Sequence, residues 1–340
     1  MYLNFTCLTR NLFLPFIRRN RLCFSTETKR QLDLVKNLRK LTNEGVTSCK
    51  KALVENNWDI NRAAVYILGN QQLKRVEFEE DKLNFGKVSL SFTQKRDRSV
   101  VVDLRSDCDI VASTKLFEYV CKQVSDSVLA FLELQTPEFF SNKPHIFTIN
   151  TTDLDYIPIQ HSSQDTVGGV LKRVSSQFGK PVVAENIYVC HNKEGDFIGS
   201  YTHNTLPSSS EHTFVAKRAG IASLKCDCTG GFETDLKRFG DLIALQAVAD
   251  PNFCTLDEFM SLKLLKYEEF NHMLTNLSDS VNKLKRPTDT KISQVKWTPI
   301  NANTTVKEAL EVVKFLNIPE ISINALLYIN AGKESVLVNK

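Results

Sequence analysis

The sequence predicts an α+β protein, with an N-terminal three-helix module followed by a two-halved core of antiparallel hairpins packed with helices. Two observations carry this reading. Residues 34–68 place apolar side chains at helical spacing in three short bursts. From residue 85 onward, alternating β-branched runs and longer helical stripes succeed one another twice.

Residues 1–26 carry Arg10, Arg18, Arg19 and Arg21 and no acidic residue, interleaved with Leu12, Phe13, Leu14, Phe16 and Ile17. An arginine-rich, acid-poor amphipathic segment has the composition of a mitochondrial presequence, because negative potential and apolar receptor grooves both draw it. A secretory signal would need an unbroken apolar core after its charges, and here most of the arginines come last. The expected location is therefore the mitochondrial matrix.

The helical module is expected over 30–70. Its first helix stacks Leu34, Val35, Leu38 and Leu41 on one stripe, and Gly45 can supply the positive φ that ends it. A second helix starts near Thr47 or Ser48, either of which can cap it, and runs through Cys49, Ala52 and Leu53. The third opens on Asp59, turns Ile60, Ala63, Ala64 and Ile67 inward and stops at Gly69. Helices this short are marginal alone, so they must share one core. A polar linker is expected over 71–84.

The first half of the core is read over 85–160. Val88–Phe92 and Ser99–Leu104 flank the charged turn Gln94–Arg98 as a hairpin, and a helix from Thr114 to Leu134 follows. The second half, over 161–255, repeats the pattern. A helix over 166–178 leads to a strand at Ala184–Cys190, a turn at Lys193–Asp196, a strand at Phe197–His203, a further strand at Thr213–Lys217 and a helix over 232–249. Gln135–Asp165 and Asn204–His212 read as excursions from this core. Residues 256–340 read as a long helical segment, Leu256–Leu284, then a return to the core by a strand at Val295–Ile300 and a helix at Thr305–Leu310.

Composition excludes several functions. Lys and Arg number 43 against 39 Asp and Glu; without the four presequence arginines the balance is 39 to 39, formally neutral. A nucleic-acid binder keeps a basic surplus or stripe, so direct nucleic-acid contact is not expected. No later apolar run approaches the roughly 20 residues that cross a bilayer, so no membrane contact is expected either. Of nine cysteines only Cys226 and Cys228 are close, and no Cys-x-x-Cys pair begins a zinc site; reduced, mostly buried thiols fit better. There is no glycine-rich phosphate loop, no His-Glu-x-x-His and no nucleophile elbow among the six histidines. No cofactor, metal or enzymatic activity is expected.

The order of residues adds a resemblance. Leu34-Val35-Lys36 and Leu38-Arg39, then Thr42, Gly45, Cys49-Lys50-Lys51-Ala52-Leu53 and Asp59-Ile60 resemble the N-terminal domain of elongation factor Ts, a three-helix fold similar to ubiquitin-associated domains. Gly86-Lys87-Val88 and Asp107-Cys-Asp-Ile-Val-Ala-Ser113 resemble the first half of that family's core. Glu185-Asn186-Ile187, Glu194-Gly195-Asp196 and Gly199-Ser200-Tyr201-x-His203 resemble its second half.

The resemblance implies a guanine-nucleotide exchange factor for mitochondrial elongation factor Tu, met in its GDP-bound and nucleotide-free states. It also implies partner-binding residues: Val46, Thr47 and Lys50 in the module, Asp109, Ile110 and Val111 at a helix start facing the partner's G domain, and His203 facing its third domain. In the family a phenylalanine occupies the position of Ile110 and wedges between partner helices; here a smaller aliphatic side chain must do so, and Ser113 stands where lysine is usual. Read from residue type alone, Asp109 is a helix N-cap, Ile110 is core and His203 is a surface or hydrogen-bonded structural histidine. An adaptor using only the helical triplet to bind a ubiquitin-type partner is the rival function.

Overall fold

The computed structural model describes residues 14–70, 76, 79, 82–162, 164–193, 196–207, 210–226, 233–284, 299–315, 321–333 and 335–340. They form two compact units, Met1–Gln71 and Gln72–Lys340.

The first unit is the helical triplet α1 (Leu14–Thr42), α2 (Val46–Glu55) and α3 (Ile60–Gly69). Val35 and Leu38 of α1 share a buried core with Cys49, Ala52 and Leu53 of α2 and with Ala63, Ala64, Ile67 and Leu68 of α3. Small residues on α3 let it pack closely, and the α1 stripe supplies the bulk. Asp59 caps α3 as its side chain predicts, accepting from the amides of Asn61 at 2.8 Å and Arg62 at 3.1 Å. Two expectations change. Gly45 does not end α1: its φ is −64°, it is the N-cap of α2 without a side-chain bond, and Asn43 (φ 57°) supplies the left-handed residue. Consequently α2 starts at Val46, before Thr47 or Ser48 could cap it. The first helix also runs unbroken from Leu14, through the second half of the arginine-rich segment.

The second unit is the α+β core. Strands β1 (Phe85–Phe92) and β2 (Arg98–Ser106) form the expected hairpin, and α4 (Asp109–Ala112) and α5 (Lys115–Glu133) follow. Thr114 caps α5 by accepting from Phe117 N–H at 3.1 Å. Next come α6 (Pro137–Ser141), β3 (Ile146–Thr148), a 3-10 turn at Thr151–Asp155, α7 (Val167–Phe178), β4 (Val183–His191), β5 (Asp196–His203), β6 (Thr213–Ala216), β7 (Arg218–Cys226) and α8 (Glu233–Ala249). The chain closes with α9 (Leu256–Ser261), α10 (Tyr267–Leu284), α11 (Val306–Phe315), β8 (Ile321–Asn330) and β9 (Val336–Asn339).

Among the described residues nine strands build two antiparallel sheets, in the orders β3-β4-β2-β1-β6 and β5-β7-β8-β9. Val88, Leu90 and Phe92 on β1 face Ile198, Ile221, Leu327 and Ile329 of the other sheet, so the sheets pack face to face. Helix α5 covers the outer face of the first sheet, and α8 with α10 and α11 covers the outer face of the second. The result is a four-layer α+β unit.

Three details depart from the sequence reading. Strands β4 and β5 are sequential but not hairpin partners: β4 pairs with β2 and β5 with β7, because each buries its apolar face in a different sheet. The Gln135–Asp165 excursion contributes an edge strand, β3. Leu256–Leu284 is two helices, separated where Lys263 bridges Thr305, and its Phe259, Leu264, Phe270 and Met273 join the α8 core. The return strand expected at Val295–Ile300 falls largely outside the described residues. The strand that does return is β8, paired along its length with β7. Most of the 71–84 linker and residues 1–13 also lie outside the described residues.

Candidate partner-binding surface

In the first unit, burying Cys49, Ala52 and Leu53 turns the opposite face of α2 to solvent. Val46 is 53% exposed and Val54 54%, with exposed Lys50 between them. Spacing of i, i+4, i+8 puts the three on one ridge, an apolar stripe around a single cation. Thr47 is exposed beside it. Val54 was not singled out from the sequence; its signal is the same four-residue step that links Val46 to Lys50.

In the second unit, α4 is a single turn fixed at both ends. The Asp109 carboxylate accepts from Ile110 N–H at 2.7 Å, Ser113 N–H donates to the Asp109 carbonyl at 2.9 Å, and Ser113 Oγ donates to the Ile110 carbonyl at 2.8 Å. Thr114 Oγ1 donates to the Val111 carbonyl at 2.8 Å. These bonds hold Ile110 outward, 72% exposed, while Val111 and Ala112 are each 6% exposed and anchor the turn. Ile110 is therefore not core, and the N-cap is Cys108, with Asp109 the first helical residue. Val111, grouped with the partner-facing residues, lies beneath them. An isoleucine held this bare on a pinned turn leaves an aliphatic surface open, whose full burial would be worth about 1.5–3 kcal/mol.

His203 closes β5, exposed, and its placement follows from the residues before it. Gly199 lies against Gly240 of α8: a Cβ there would stand 1.9 Å from the Gly240 carbonyl carbon. The next amide, Ser200 N–H, donates to Asp241 Oδ1 at 2.7 Å, which satisfies an otherwise open donor on this edge strand. Burial raises the Asp241 carboxyl, and the Ser200 bond opposes that rise. Tyr201 packs on the α8 side of the sheet. Asn204 (φ 58°) then turns the chain, and the His203 carbonyl accepts from Lys217 N–H at 3.3 Å.

The Asp109 turn and the end of β5 border one cleft. Asn84, Phe85, Asp109, Asn204, Lys217 and Lys333 are among its walls, and it encloses about 500 Å³. Lys87 also lines it but is committed elsewhere, 2.6 Å from Glu118 Oε1. Burial pushes the Glu118 carboxyl up, and the bonds from Lys87 and Lys115 more than offset it, leaving it below the usual carboxylate range. Among the described residues no three His, Cys, Asp or Glu side chains gather as a metal site, and no helix is long and apolar enough to cross a membrane.

No protein-family model matches the chain. It is similar to proteins named elongation factor Ts, mitochondrial, from Dictyostelium discoideum (22% identical over 287 residues, 78% of each chain) and from Oryza sativa (24% identical, 72% of this chain and 65% of the relative). It is also similar to the elongation factor Ts of Wolinella succinogenes, 25% identical over 50% of this chain and 43% of the relative. The chain is of the elongation factor Ts type. It spans about two thirds or less of the plant relatives it matches. The α+β architecture, with three helices ahead of antiparallel sheets and covering helices, is consistent with that type.

Proposed function

We propose that this chain is a guanine-nucleotide exchange factor for mitochondrial elongation factor Tu, working in the mitochondrial matrix without a reactive group of its own. Its broad role is that of a translation elongation factor, and the relatives' names support the partner and the compartment. The observation that carries the mechanism is Ile110, an apolar side chain held 72% exposed on a one-turn helix bonded at both ends.

The mechanism is linkage. A factor that binds the distorted, nucleotide-free partner more tightly than the GDP-bound form weakens GDP binding by the same factor. The Val46–Lys50–Val54 ridge and the Asp109–Ile110 turn supply contact to the G domain, with Ile110 as the wedge; His203 supplies contact to the third domain. A rigid wedge matters because a mobile one would relax before the partner did.

The chain lacking residues 1–26, mixed with mitochondrial elongation factor Tu, will co-elute in size-exclusion chromatography as a complex that excess GDP dissociates. Separate elution without GDP refutes the proposal. A ubiquitin-type adaptor would instead co-elute with added ubiquitin and not with the elongation factor.

A further inference from the structure

The 500 Å³ cleft beside Ile110 carries an uneven charge. Lys217, Arg218 and Lys333 line it, Lys217 and Lys333 are exposed, and none of the three pairs with a described carboxylate. Asp109 is the one acidic residue among its described walls. Phe85, 43% exposed, and Leu206 give it apolar sides, and Ile110 stands next to Asp109 at its edge.

The backbone keeps these cations together. Lys217 N–H donates to the His203 carbonyl at 3.3 Å, Ala331 N–H donates to the Lys217 carbonyl at 3.0 Å, and the Lys333 carbonyl accepts from Arg105 Nη2 at 2.5 Å. Strand end, β6–β7 corner and β8–β9 turn are thereby tied into one rim. Gly332 (φ 75°) permits the turn to sit there, where a Cβ would meet the Asn84 carbonyl oxygen at 2.0 Å.

We propose that this cleft is a receiving site for the partner protein: an acidic side chain carried on an apolar segment of the GTPase seats against Lys217, Arg218 and Lys333, between Phe85 and Leu206. The inference rests on the exchange-factor reading. Where Ile110 projects into the partner, the neighbouring cleft accepts a projection from it, so the two surfaces interlock. Three cations with no ion-pair partner among the described residues, gathered in one recess, select an anion, and the apolar walls favour a protein segment over a nucleic-acid backbone. Steering by these charges also speeds encounter at low salt.

The test uses the chain lacking residues 1–26 and mitochondrial elongation factor Tu, with affinity measured by calorimetry at low and high KCl. A Lys217→Glu, Lys333→Glu double variant should keep the wild-type melting temperature, since neither cation makes a described ion pair. It should bind about 10-fold or more weakly and lose most of the salt dependence. A Lys217→Gln, Lys333→Gln variant should fall between, and Lys95→Glu, in the β1–β2 turn, should match wild type. Wild-type affinity and salt slope in the double Glu variant would overturn the proposal, as would equal weakening by Lys95→Glu or competition by RNA for the cleft. If the wild-type chain fails to bind at all, the exchange-factor reading has failed and the receiving site falls with it.

Discussion

Gly199 and Gly240 meet backbone to backbone, and this contact positions the histidine four residues further along β5. With a Cβ at Gly199 only 1.9 Å from the Gly240 carbonyl carbon and 2.2 Å from its oxygen, nothing flexible can yield. Gly199→Ala should cost about 3 kcal/mol or more, at the upper end of overpacking penalties. Gly45→Ala is the control: nothing lies within 4 Å of its Cβ and its φ is ordinary, so stability should stay within about 0.5 kcal/mol. Urea unfolding of both variants decides it, and equal midpoints would remove the close approach as the reason for glycine at 199.

Ile110→Ala separates folding from function. Because the side chain is 72% exposed, its loss should leave the melting temperature unchanged while exchange efficiency on the partner falls about 10-fold or more, the equivalent of one unburied aliphatic side chain. Wild-type exchange by this variant would mean that the bare isoleucine is not the wedge.

The helices and the β1–β2 hairpin were readable because their causes are local: Asp59 and Thr114 cap with their own side chains, and Val88, Leu90 and Phe92 alternate. The sheet that each later strand joins depends on partners far along the chain. Residues 184–190 and 197–203 look like a hairpin until β2 claims one and β7 the other. Strand β8, Ile321–Asn330, is a mostly apolar run ending near Gly332 whose place in the sheet is set by its pairing with β7, far back along the chain, and the expected return strand at Val295–Ile300 competes with it for that role in the sequence. At the site, residue type favoured burial of Ile110, and only the bonds around Asp109 and Ser113 turn it outward. The cationic cleft left no local signature, since Lys217 and Lys333 converge through backbone bonds between distant strands.

Asp103 should make stability fall as pH rises. Burial raises its carboxyl from 3.8 to about 6, with the Arg105 guanidinium, 2.7 Å away, opposing the rise. Between those values the folded chain holds a proton that the unfolded chain has released. Stability is therefore lost progressively from about pH 4 to pH 6, by about 3 kcal/mol, and is level above. Asp103→Asn cannot titrate, so wild type minus variant should decline across that window in unfolding free energy. A difference that is flat with pH would show that Asp103 titrates normally.

The thiols should react in order of exposure. Burial raises Cys121 and Cys190, and raises Cys49 despite its bond to Thr42, whereas Cys254 is exposed. Brief iodoacetamide treatment of the native chain followed by mass spectrometry should find Cys254 alkylated, and Cys49, Cys121 and Cys190 intact until denaturant is added. Early alkylation of Cys121 or Cys190 would contradict the packing of α5 and β4.

The central claim, that surface contact alone drives nucleotide from a GTPase, is tested most directly by stopped-flow release of fluorescent GDP from mitochondrial elongation factor Tu. Adding the chain lacking residues 1–26 should accelerate release in a saturable, concentration-dependent way, with no chemical change in either protein or nucleotide. A release rate that does not respond to the chain at any concentration would contradict the account.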